Sequence, residues 1–377
     1  MLIQYSKARK IKDSRNQPTI EVLVNGQKAS SPSGKSTGKY ETPSYHNSLD
    51  WNIKAINQLR IPFEINSFHD LKHLEDNIKK TFKLKNAKKF GANALFALES
   101  AILKALAKSK NKQLWQIINT SAKKVPVPVG NAIGGGLHSH NKNHPEFQEF
   151  LLIPQGKAII ENEKIIKEVY TILEQILEAD SKNDEGAWQT SLSNEKVLEI
   201  LSKFKKIRIG IDAASSSFYK ETSYIYKNKT LTRDTQIYYI NYLIKKYNML
   251  YIEDPLQEDD FQGFSRLKKS PSRLIVGDDL TATQIPRLKK AIKNRSINAI
   301  IIKPNQNGSL LEIEKIFQIC KKNNIRTILS HRSGETLDTA LADYAFGFQA
   351  DFIKCGISTK WREVKLRRLI QIFNSKI

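Results

Sequence analysis

Six apolar runs in the C-terminal two-thirds of the chain each end on a charged or polar residue. The runs lead to Asp212, Glu253, Asp278, Lys303, the 330–333 segment and Lys354. Segments with helical periodicity separate them. Strands buried on both faces are continuous apolar runs, and the carboxyl ends of barrel strands meet at one face. The pattern therefore predicts a parallel α/β barrel whose chemistry lies at the carboxyl ends of its strands.

The N-terminal third has a different pattern. Residues 1–30 alternate in strand fashion around Asn25 and Gly26, which predicts a hairpin, and residues 92–108 carry one apolar helical stripe. The Ser-, Gly- and Thr-rich stretch 30–41 is typical of a mobile flap beside a ligand. We predict an N-terminal α+β domain over residues 1–124, with the flap, and a catalytic α/β barrel over 125–377.

Within the predicted barrel domain, short periodic segments indicate individual elements. We expect a strand over 147–153 and helices over 158–179, 194–204, 310–322 and 335–346. Ser309 and Ser333 are the expected N-terminal caps of the last two helices.

The three strand-end carboxylates are Asp212, Glu253 and Asp278. In a barrel they would converge on one pocket and repel one another unless a cation joined them. Oxygen-only ligands select a hard ion, so Mg²⁺ is the first expectation. The alternative is that each carboxylate caps the helix that follows its strand.

Strand-end cations follow the carboxylates. A lysine such as Lys303 or Lys354 that lies beside a bound metal can lose its proton near neutral pH and act as a base, although both could instead be salt-bridged. Arg332, between His331 and Ser333, offers a planar fork for a phosphate or carboxylate, and we expect a helix N-terminus to assist there. An acyl-transfer reading of the Ser-His pair lacks a G-x-S-x-G elbow.

Histidines 138, 140 and 144 follow Gly134-Gly135-Gly136. They could bind zinc, but their spacing is not that of a helical pair and the two cysteines are distant in sequence. A flexible loop with one acid–base histidine is the preferred interpretation. Glu185, by itself, reads as a solvated loop carboxylate.

Composition narrows the function class. The net charge of +23 could indicate nucleic-acid or anionic-surface binding, but the lysines are scattered and no nucleic-acid motif is present. We therefore interpret the charge as a lysine-rich surface and expect no nucleic-acid partner. Two cysteines, no leader-like apolar segment and no long apolar span predict a soluble cytoplasmic protein without disulfides or a membrane partner.

Read together, several segments resemble the enolase family. They are SGKSTGKYE (33–41), GANA (91–94), QEF (148–150), IEDP (252–255), GDDLT (277–281), KPNQ (303–306) and SHRSGET (330–336). The resemblance spans nearly the whole chain, and the last four segments are highly specific. It implies an enolase-type barrel and a Mg²⁺-dependent dehydration of 2-phosphoglycerate to phosphoenolpyruvate, in glycolysis or gluconeogenesis.

The resemblance also implies roles for individual residues. Asp212, Glu253 and Asp278 would hold one Mg²⁺, and Ser36 on the flap would help to bind a second. Lys303 would remove the carbon-2 proton. Glu185 would protonate the leaving hydroxyl, assisted by Glu149 and His138. Substrate contacts would come from His331, Arg332, Ser333 and Lys354, together with His138 and Glu149. A homodimer is expected.

Some positions depart from the family pattern. Glu185 is followed by Gly186-Ala187, where two glycines are usual, which could stiffen the loop that presents the acid. Two extra residues after His138 make His140 its rival. The usual Glu-Arg order is reversed as Arg362-Glu363, which bears on the dimer contact expected at Arg9. Two other functions stay open: a different carbon-acid lyase reaction, and binding of nucleic acid or a cell surface.

Overall fold

The computed structural model describes residues 1–35 and 38–375. Within these ranges the strands are β1 (Ser6–Lys12), β2 (Pro18–Val24), β3 (Gln27–Ser30), β4 (Val127–Gly134), β5 (Glu149–Pro154), β6 (Trp188–Gln189), β7 (Ile207–Asp212), β8 (Tyr219–Lys220), β9 (Ser223–Ile225), β10 (Thr230–Thr232), β11 (Tyr251–Glu253), β12 (Leu274–Gly277), β13 (Ala299–Ile302), β14 (Arg326–Ser330) and β15 (Phe352–Lys354).

The α-helices of the same ranges are α1 (Leu49–Gln58), α2 (Leu71–Phe82), α3 (Ala92–Ser109), α4 (Leu114–Ile118), α5 (Ile159–Leu177), α6 (Asn194–Leu201), α7 (Arg233–Lys246), α8 (Phe261–Ser265), α9 (Ile285–Lys293), α10 (Pro304–Asn307), α11 (Leu310–Lys322), α12 (Ala340–Gly347) and α13 (Lys360–Asn374). Short 3₁₀ turns occur at Phe68–Asp70, Ala87–Phe90, Gly136–His138 and Ser215–Phe218.

The N-terminal unit is a three-stranded antiparallel sheet backed by helices. Asn25 and Gly26 both have positive φ angles, 45° and 81°, as a two-residue hairpin turn of the mirror-image type requires. This confirms the predicted hairpin. Helix α3 is buried over most of its surface, because it packs on β2 and β3 on one side and on the barrel's α10 on another.

Eight of the described strands close into a barrel in the order β4, β5, β7, β11, β12, β13, β14, β15, with β15 paired to β4. The barrel expectation is confirmed, but the expectation that it is wholly parallel is wrong. Strand β5 runs antiparallel to both of its neighbours, and Glu149 pairs with Asp212. The reversal brings Glu149, at the start of its strand, to the same mouth as the carboxyl ends of the others.

Most predicted helices are confirmed, with α11 matching the expected 310–322 and Ser309 accepting a hydrogen bond from the backbone N–H of Glu312. The helix expected from residue 335 is wrong, because α12 begins at Ala340 with Thr339 at its cap position. Gly334 instead exchanges backbone hydrogen bonds with Ser33, which keeps this segment extended. Ser333 is therefore not a helix cap, and no helix N-terminus assists anion binding there.

The barrel interior holds its own apolar cluster beneath the mouth. Alternate residues of successive strands fill it, as in other packed barrels; the members are Val129, Leu151, Ile153, Tyr251, Leu274, Val276, Ala299, Ile301 and Ile328. Both cysteines are buried free thiols. The predicted domain boundary at 124/125 lies in the connection between α4 and β4. No helix in the described ranges combines the length and the apolar character needed to cross a bilayer.

Candidate active site

A cavity of about 450 Å³ opens at the mouth of the barrel. Nearly all predicted site residues line it: His138, Glu149, Glu185, Asp212, Asp278, Lys303, His331, Arg332, Ser333 and Lys354. Glu253 does not reach the cavity, since it is fully buried behind the ammonium group of Lys354. Ser36, the predicted second metal ligand, lies outside the described residues.

Lys354 is the centre of the largest ion cluster at the mouth. Its Nζ lies 2.9 Å from both carboxylate oxygens of Glu253, 2.9 Å from Oε2 of Glu149 and 3.3 Å from Oδ2 of Asp212. Burial lowers the pKa of Lys354, but the three carboxylates outweigh burial and raise that pKa well above its ordinary value. The cation that these carboxylates require is supplied here by the lysine.

Asp278 has a different partner. One of its oxygens, Oδ2, accepts a short hydrogen bond from the ammonium group of Lys303, and the other, Oδ1, is buried without a hydrogen-bond partner. Burial lowers the pKa of Lys303, but the ion pair with Asp278 outweighs burial, so the net pKa is raised. In this arrangement the ion pair with Asp278 favours the protonated form of Lys303.

Asp212, Glu253 and Asp278 do not gather as one tight ligand group. Among the described residues, the groups with ligand atoms within 4.8 Å of one another are His138 with Glu149 and Glu185, and Asp254 with Asp278 and Asp279. Asp254 is already committed, because its two oxygens accept backbone N–H bonds from Asp278 and Asp279. It serves to hold the turn that presents Asp278.

The opposite wall of the cavity carries paired carboxyl groups and two imidazoles. Oε1 of Glu185 lies 3.9 Å from Nδ1 of His138, and Oε2 lies 3.8 Å from Nε2 of His331. Burial lowers the pKa of both histidines and raises that of Glu149 well above its usual range. These carboxyl and imidazole groups form one buried cluster of titratable side chains.

The structure separates the two rival histidines. The His138 side chain is 14% exposed and faces Glu185, whereas His140 is 57% exposed and lies 3.5 Å from Asp184. Only the first of these two lines the cavity. Of the two histidines, His138 is therefore the one that lies at the candidate site.

The flap closes over the Arg332 side of the cavity. The backbone N–H of Lys35 donates to the Ser333 hydroxyl at 2.7 Å, and the Arg332 guanidinium binds both carboxylate oxygens of Glu41, at 3.1 and 3.0 Å. Arg332 thus holds a planar anion in the fork geometry that also suits phosphate. Glu41 therefore occupies the anion-binding edge of the Arg332 guanidinium.

Comparison with known proteins agrees with this geometry. Residues 3–118 match the family described as "Enolase, N-terminal domain", and residues 122–375 match "Enolase, C-terminal TIM barrel domain". The chain belongs to the enolase family. It is 35% identical over 396 aligned positions to the enolase of Archaeoglobus fulgidus (99% of this chain, 97% of the relative). It is 36% identical over 404 positions to that of Methanosphaera stadtmanae (98% and 96%).

Family membership settles the reaction class. Enolases are carbon–oxygen lyases, phosphopyruvate hydratases, that dehydrate the small phosphorylated substrate 2-phosphoglycerate. The family uses Mg²⁺, and this enolase has acidic groups at the barrel mouth that could hold a metal ion.

Sequence reasoning missed several residues that shape the site. Asn183 accepts backbone N–H bonds from Glu185 and Ala187 at 3.0 Å each and so fixes the acid loop. Arg362, fully buried, reaches His331 from below. A signal for Arg362 existed, because it shares the apolar stripe of α13 with Leu366 and Leu369 at helical spacing. For Asn183 and Glu41 no sequence pattern announced the contact.

Proposed function

We propose that this enolase removes the carbon-2 proton of 2-phosphoglycerate at Lys303 and protonates the leaving hydroxyl from the Glu149–Glu185 side. The strand order carries the proposal. Lys303 follows β13 and Glu149 begins β5, and four steps around the eight-stranded ring separate these two strands in either direction. A base on one wall and an acid on the opposite wall are what elimination of water across two adjacent carbons needs.

The predicted metal residues suit a hard divalent ion. Asp212, Glu253 and Asp278 offer oxygen ligands only, and the buried Oδ1 of Asp278 has a lone pair with no partner. In this structure Lys354 holds Asp212 and Glu253, and Lys303 holds Asp278. We propose that these three carboxylates would instead hold Mg²⁺ and that Lys354 would contact the substrate carboxylate. A bound ion of this kind supplies electrostatic stabilisation of the negative charge that develops on that carboxylate. A second ion near Ser36 completes the proposal of two per site.

The partner of the Asp278 carboxylate determines whether Lys303 can act as a base. While Asp278 pairs only with Lys303, the lysine keeps its proton. A metal held by Asp278 would weaken the attraction of this carboxylate for the ammonium group, and the burial of Lys303 together with the charges of Arg332 and Lys354 would then favour the neutral amine. The proton of a carbon adjacent to a carboxylate can then pass to Nζ.

The proton for the leaving hydroxyl would come from the cluster of Glu149, Glu185 and His138. Burial raises the pKa of Glu149 well above its ordinary value, whereas His331, His138 and Arg362 outweigh burial and lower the pKa of Glu185. Of the two carboxyl groups, Glu149 is therefore the one favoured to hold a proton, and it lies in one cluster with Glu185 and His138. We infer that Glu185 delivers the proton to the hydroxyl and that Glu149 and His138 resupply it. Arg332 and Ser333 bind the phosphate, displacing Glu41, and His331 lines the pocket.

A homodimer and a cytoplasmic location remain predictions. Arg9, the expected dimer contact, pairs with Glu21 of the same chain at 2.6 Å and is largely exposed. Light scattering on the purified chain would measure its oligomeric state.

One assay tests the proposed function. The purified chain with 2-phosphoglycerate and Mg²⁺ should form phosphoenolpyruvate, followed by its ultraviolet absorbance, and EDTA should stop the reaction until Mg²⁺ is restored. Exchange of the carbon-2 proton with solvent deuterium, followed by NMR, should also need Mg²⁺. Product formation that continues unchanged in EDTA would contradict the proposal.

A further inference from the structure

Arg362 is buried where arginine is rarely found. It begins the apolar stripe of α13 and has no exposed surface. Its guanidinium donors are directed to an imidazole nitrogen, to backbone carbonyl oxygens and to a hydroxyl, not to a carboxylate. Burying an unpaired guanidinium is costly unless its donors are all directed to acceptors. The cost suggests that these donors serve the neighbouring site.

The guanidinium donors of Arg362 reach both loops that build the cavity. Nε donates to Nδ1 of His331 at 3.1 Å, and Nη2 donates to the carbonyl oxygens of Arg332 at 3.4 Å and Ser333 at 3.0 Å. Nη1 points to the carbonyl oxygen of Asp184 at 3.5 Å and to the Thr359 hydroxyl at 3.3 Å. One side chain therefore connects the acid loop to the substrate-binding loop.

We propose that Arg362 is a positioning residue that fixes the tautomer of His331 and holds the Glu185 loop in register with the Arg332–Ser333 loop. This proposal rests on the proposed function of the site. Arg362 is too deep to touch substrate, and it would act only through the groups it holds.

The tautomer of His331 follows from the donors and acceptors that its imidazole faces. Arg362 has donors only, so Nδ1 of His331 must accept and carry the lone pair. In the neutral ring the proton is then on Nε2, which faces Oε2 of Glu185 at 3.8 Å. The fixed tautomer presents an N–H donor toward the carboxyl group that we infer protonates the leaving hydroxyl.

The backbone around Arg362 leaves room for it. A Cβ at Gly356 would lie 2.3 Å from Cδ of Arg362, and Gly356 has a φ of 77° that disfavours side chains. Gly186, directly after the acid, is similarly close: a Cβ there would meet the Thr359 side chain at 2.5 Å. The acid loop, the glycine turn and the start of α13 are thus packed against one another around this guanidinium.

A lysine is the first test substitution, because Arg362→Lys keeps the charge but cannot reach all five acceptors. Arg362→Met removes the donors and keeps the volume. Arg368→Met is the matched control, since Arg368 lies on the same helix and holds Asp343 through two bonds of 2.8 and 2.7 Å outside the cavity. Thermal unfolding of each variant would report loss of fold separately.

Two readouts separate positioning from general support. The first is the ratio of the dehydration rate to the rate of carbon-2 proton exchange, which should fall about 10-fold or more in both Arg362 variants. Each substitution disturbs the loop that carries the proposed acid, Glu185, and leaves the proposed base, Lys303, in place. The second is nitrogen-15 NMR of histidine-labelled protein, with His331 assigned through His331→Gln. The wild type should show an unprotonated Nδ1, and Arg362→Met should show mixed tautomers.

The outcomes are decisive in either direction. Equal losses of dehydration and exchange with an unchanged His331 signature would overturn the proposal and leave Arg362 a packing residue. If Arg362→Met does not fold, Arg362→Lys still reports both quantities. If the wild type does not dehydrate 2-phosphoglycerate, the proposed function fails, while the tautomer measurement still decides the role of Arg362.

Discussion

The two ends of the barrel differ in how they treat charge. The amino-terminal end has the larger cavity, about 930 Å³, yet its cations are surface-like: Lys124 and Arg326, 47% and 58% exposed, share Asp351. At the carboxyl-terminal mouth, a cavity about half that size buries Lys354 at 3% exposure among carboxylates. Size does not mark the active site. Water screens the far-end charges, whereas those at the mouth interact across a low dielectric and can do chemistry.

The largest expected difference between the two ends is the effect of removing a lysine. Lys303→Ala should lower both dehydration and carbon-2 exchange by about 10³-fold or more, because the proposed base is gone. Lys124→Ala, at the other end, should leave both rates within about 2-fold. Its ion pair is exposed and contributes under about 1 kcal/mol to the free energy of unfolding, so the fold and the distant site should be unaffected. Steady-state kinetics and deuterium exchange measure the two rates. Substantial exchange by Lys303→Ala would show that the base is assigned wrongly.

The acid loop offers a sharper comparison between neighbours. Glu185→Gln should reduce dehydration by roughly 10²-fold or more and leave carbon-2 exchange measurable, because proton removal precedes loss of the hydroxyl. Asp184→Asn, one residue away and about one-third exposed, should change neither rate appreciably. Comparing product formation with exchange in the same samples tests this. If Glu185→Gln loses both rates equally, the acid role belongs elsewhere, with Glu149 as the next candidate.

Stabilisation of the chain by a bound metal ion should depend on a carboxylate at the mouth and not on one at the far end. Mg²⁺ at about 100 times its dissociation constant should add roughly 2.7 kcal/mol to the free energy of unfolding if it binds the folded chain alone. Asp278→Asn should abolish most of this gain, and Asp351→Asn at the far end should keep it. Urea unfolding with and without Mg²⁺ gives the values. Equal gains in the two variants would exclude Asp278 from the metal site.

The barrel could be predicted because burial dictates it. Strands enclosed by helices need continuous apolar runs, and these runs stop at the barrel mouth, as at Asp278 and Lys354, which line the cavity. The direction of β5 was not predictable in this way, because an antiparallel buried strand has the same apolar run as a parallel one. Only the position of Glu149 before the run, instead of after it, hinted at the reversal.

The sequence predicted which residues belong to the site but not which of their side chains contact one another. Residue types at strand ends indicated metal, base and anion chemistry, but pairing depends on which side chains meet in three dimensions. Lys303 with Asp278, and Arg332 with Glu41, join residues 25 and 291 positions apart in sequence. The loop after β14 was predicted as helix because Ser333 resembles a cap, and the contact of Gly334 with Ser33 of the distant N-terminal sheet unit decided otherwise.

The smallest expected effect is a pH dependence of opposite sign at the two ends. At the far end burial raises the pKa of Asp351, but the Thr327 backbone N–H, Lys124 and Arg326 outweigh it, so the pKa is lowered. Its contribution to stability is therefore present above the unfolded pKa of about 3.9 and is lost as the pH falls through the folded value. Asp351→Asn should cost about 1–2 kcal/mol at pH 7, and the gap to wild type should close below about pH 4.

At the mouth the sign reverses. Burial raises the pKa of Glu149, so its contribution is largest at low pH and is lost as the pH rises through the folded value. In EDTA, Glu149→Gln should therefore gain stability relative to wild type as the pH rises above the ordinary carboxyl pKa of 4.5. Urea unfolding from about pH 3 to about pH 8 measures both gaps. An Asp351 stability gap that widens in acid would contradict the contrast between a screened end and a buried end. A Glu149 gap that changes with pH in the same direction as the Asp351 gap would also contradict it, because local partners outweigh burial at Asp351 whereas burial outweighs them at Glu149.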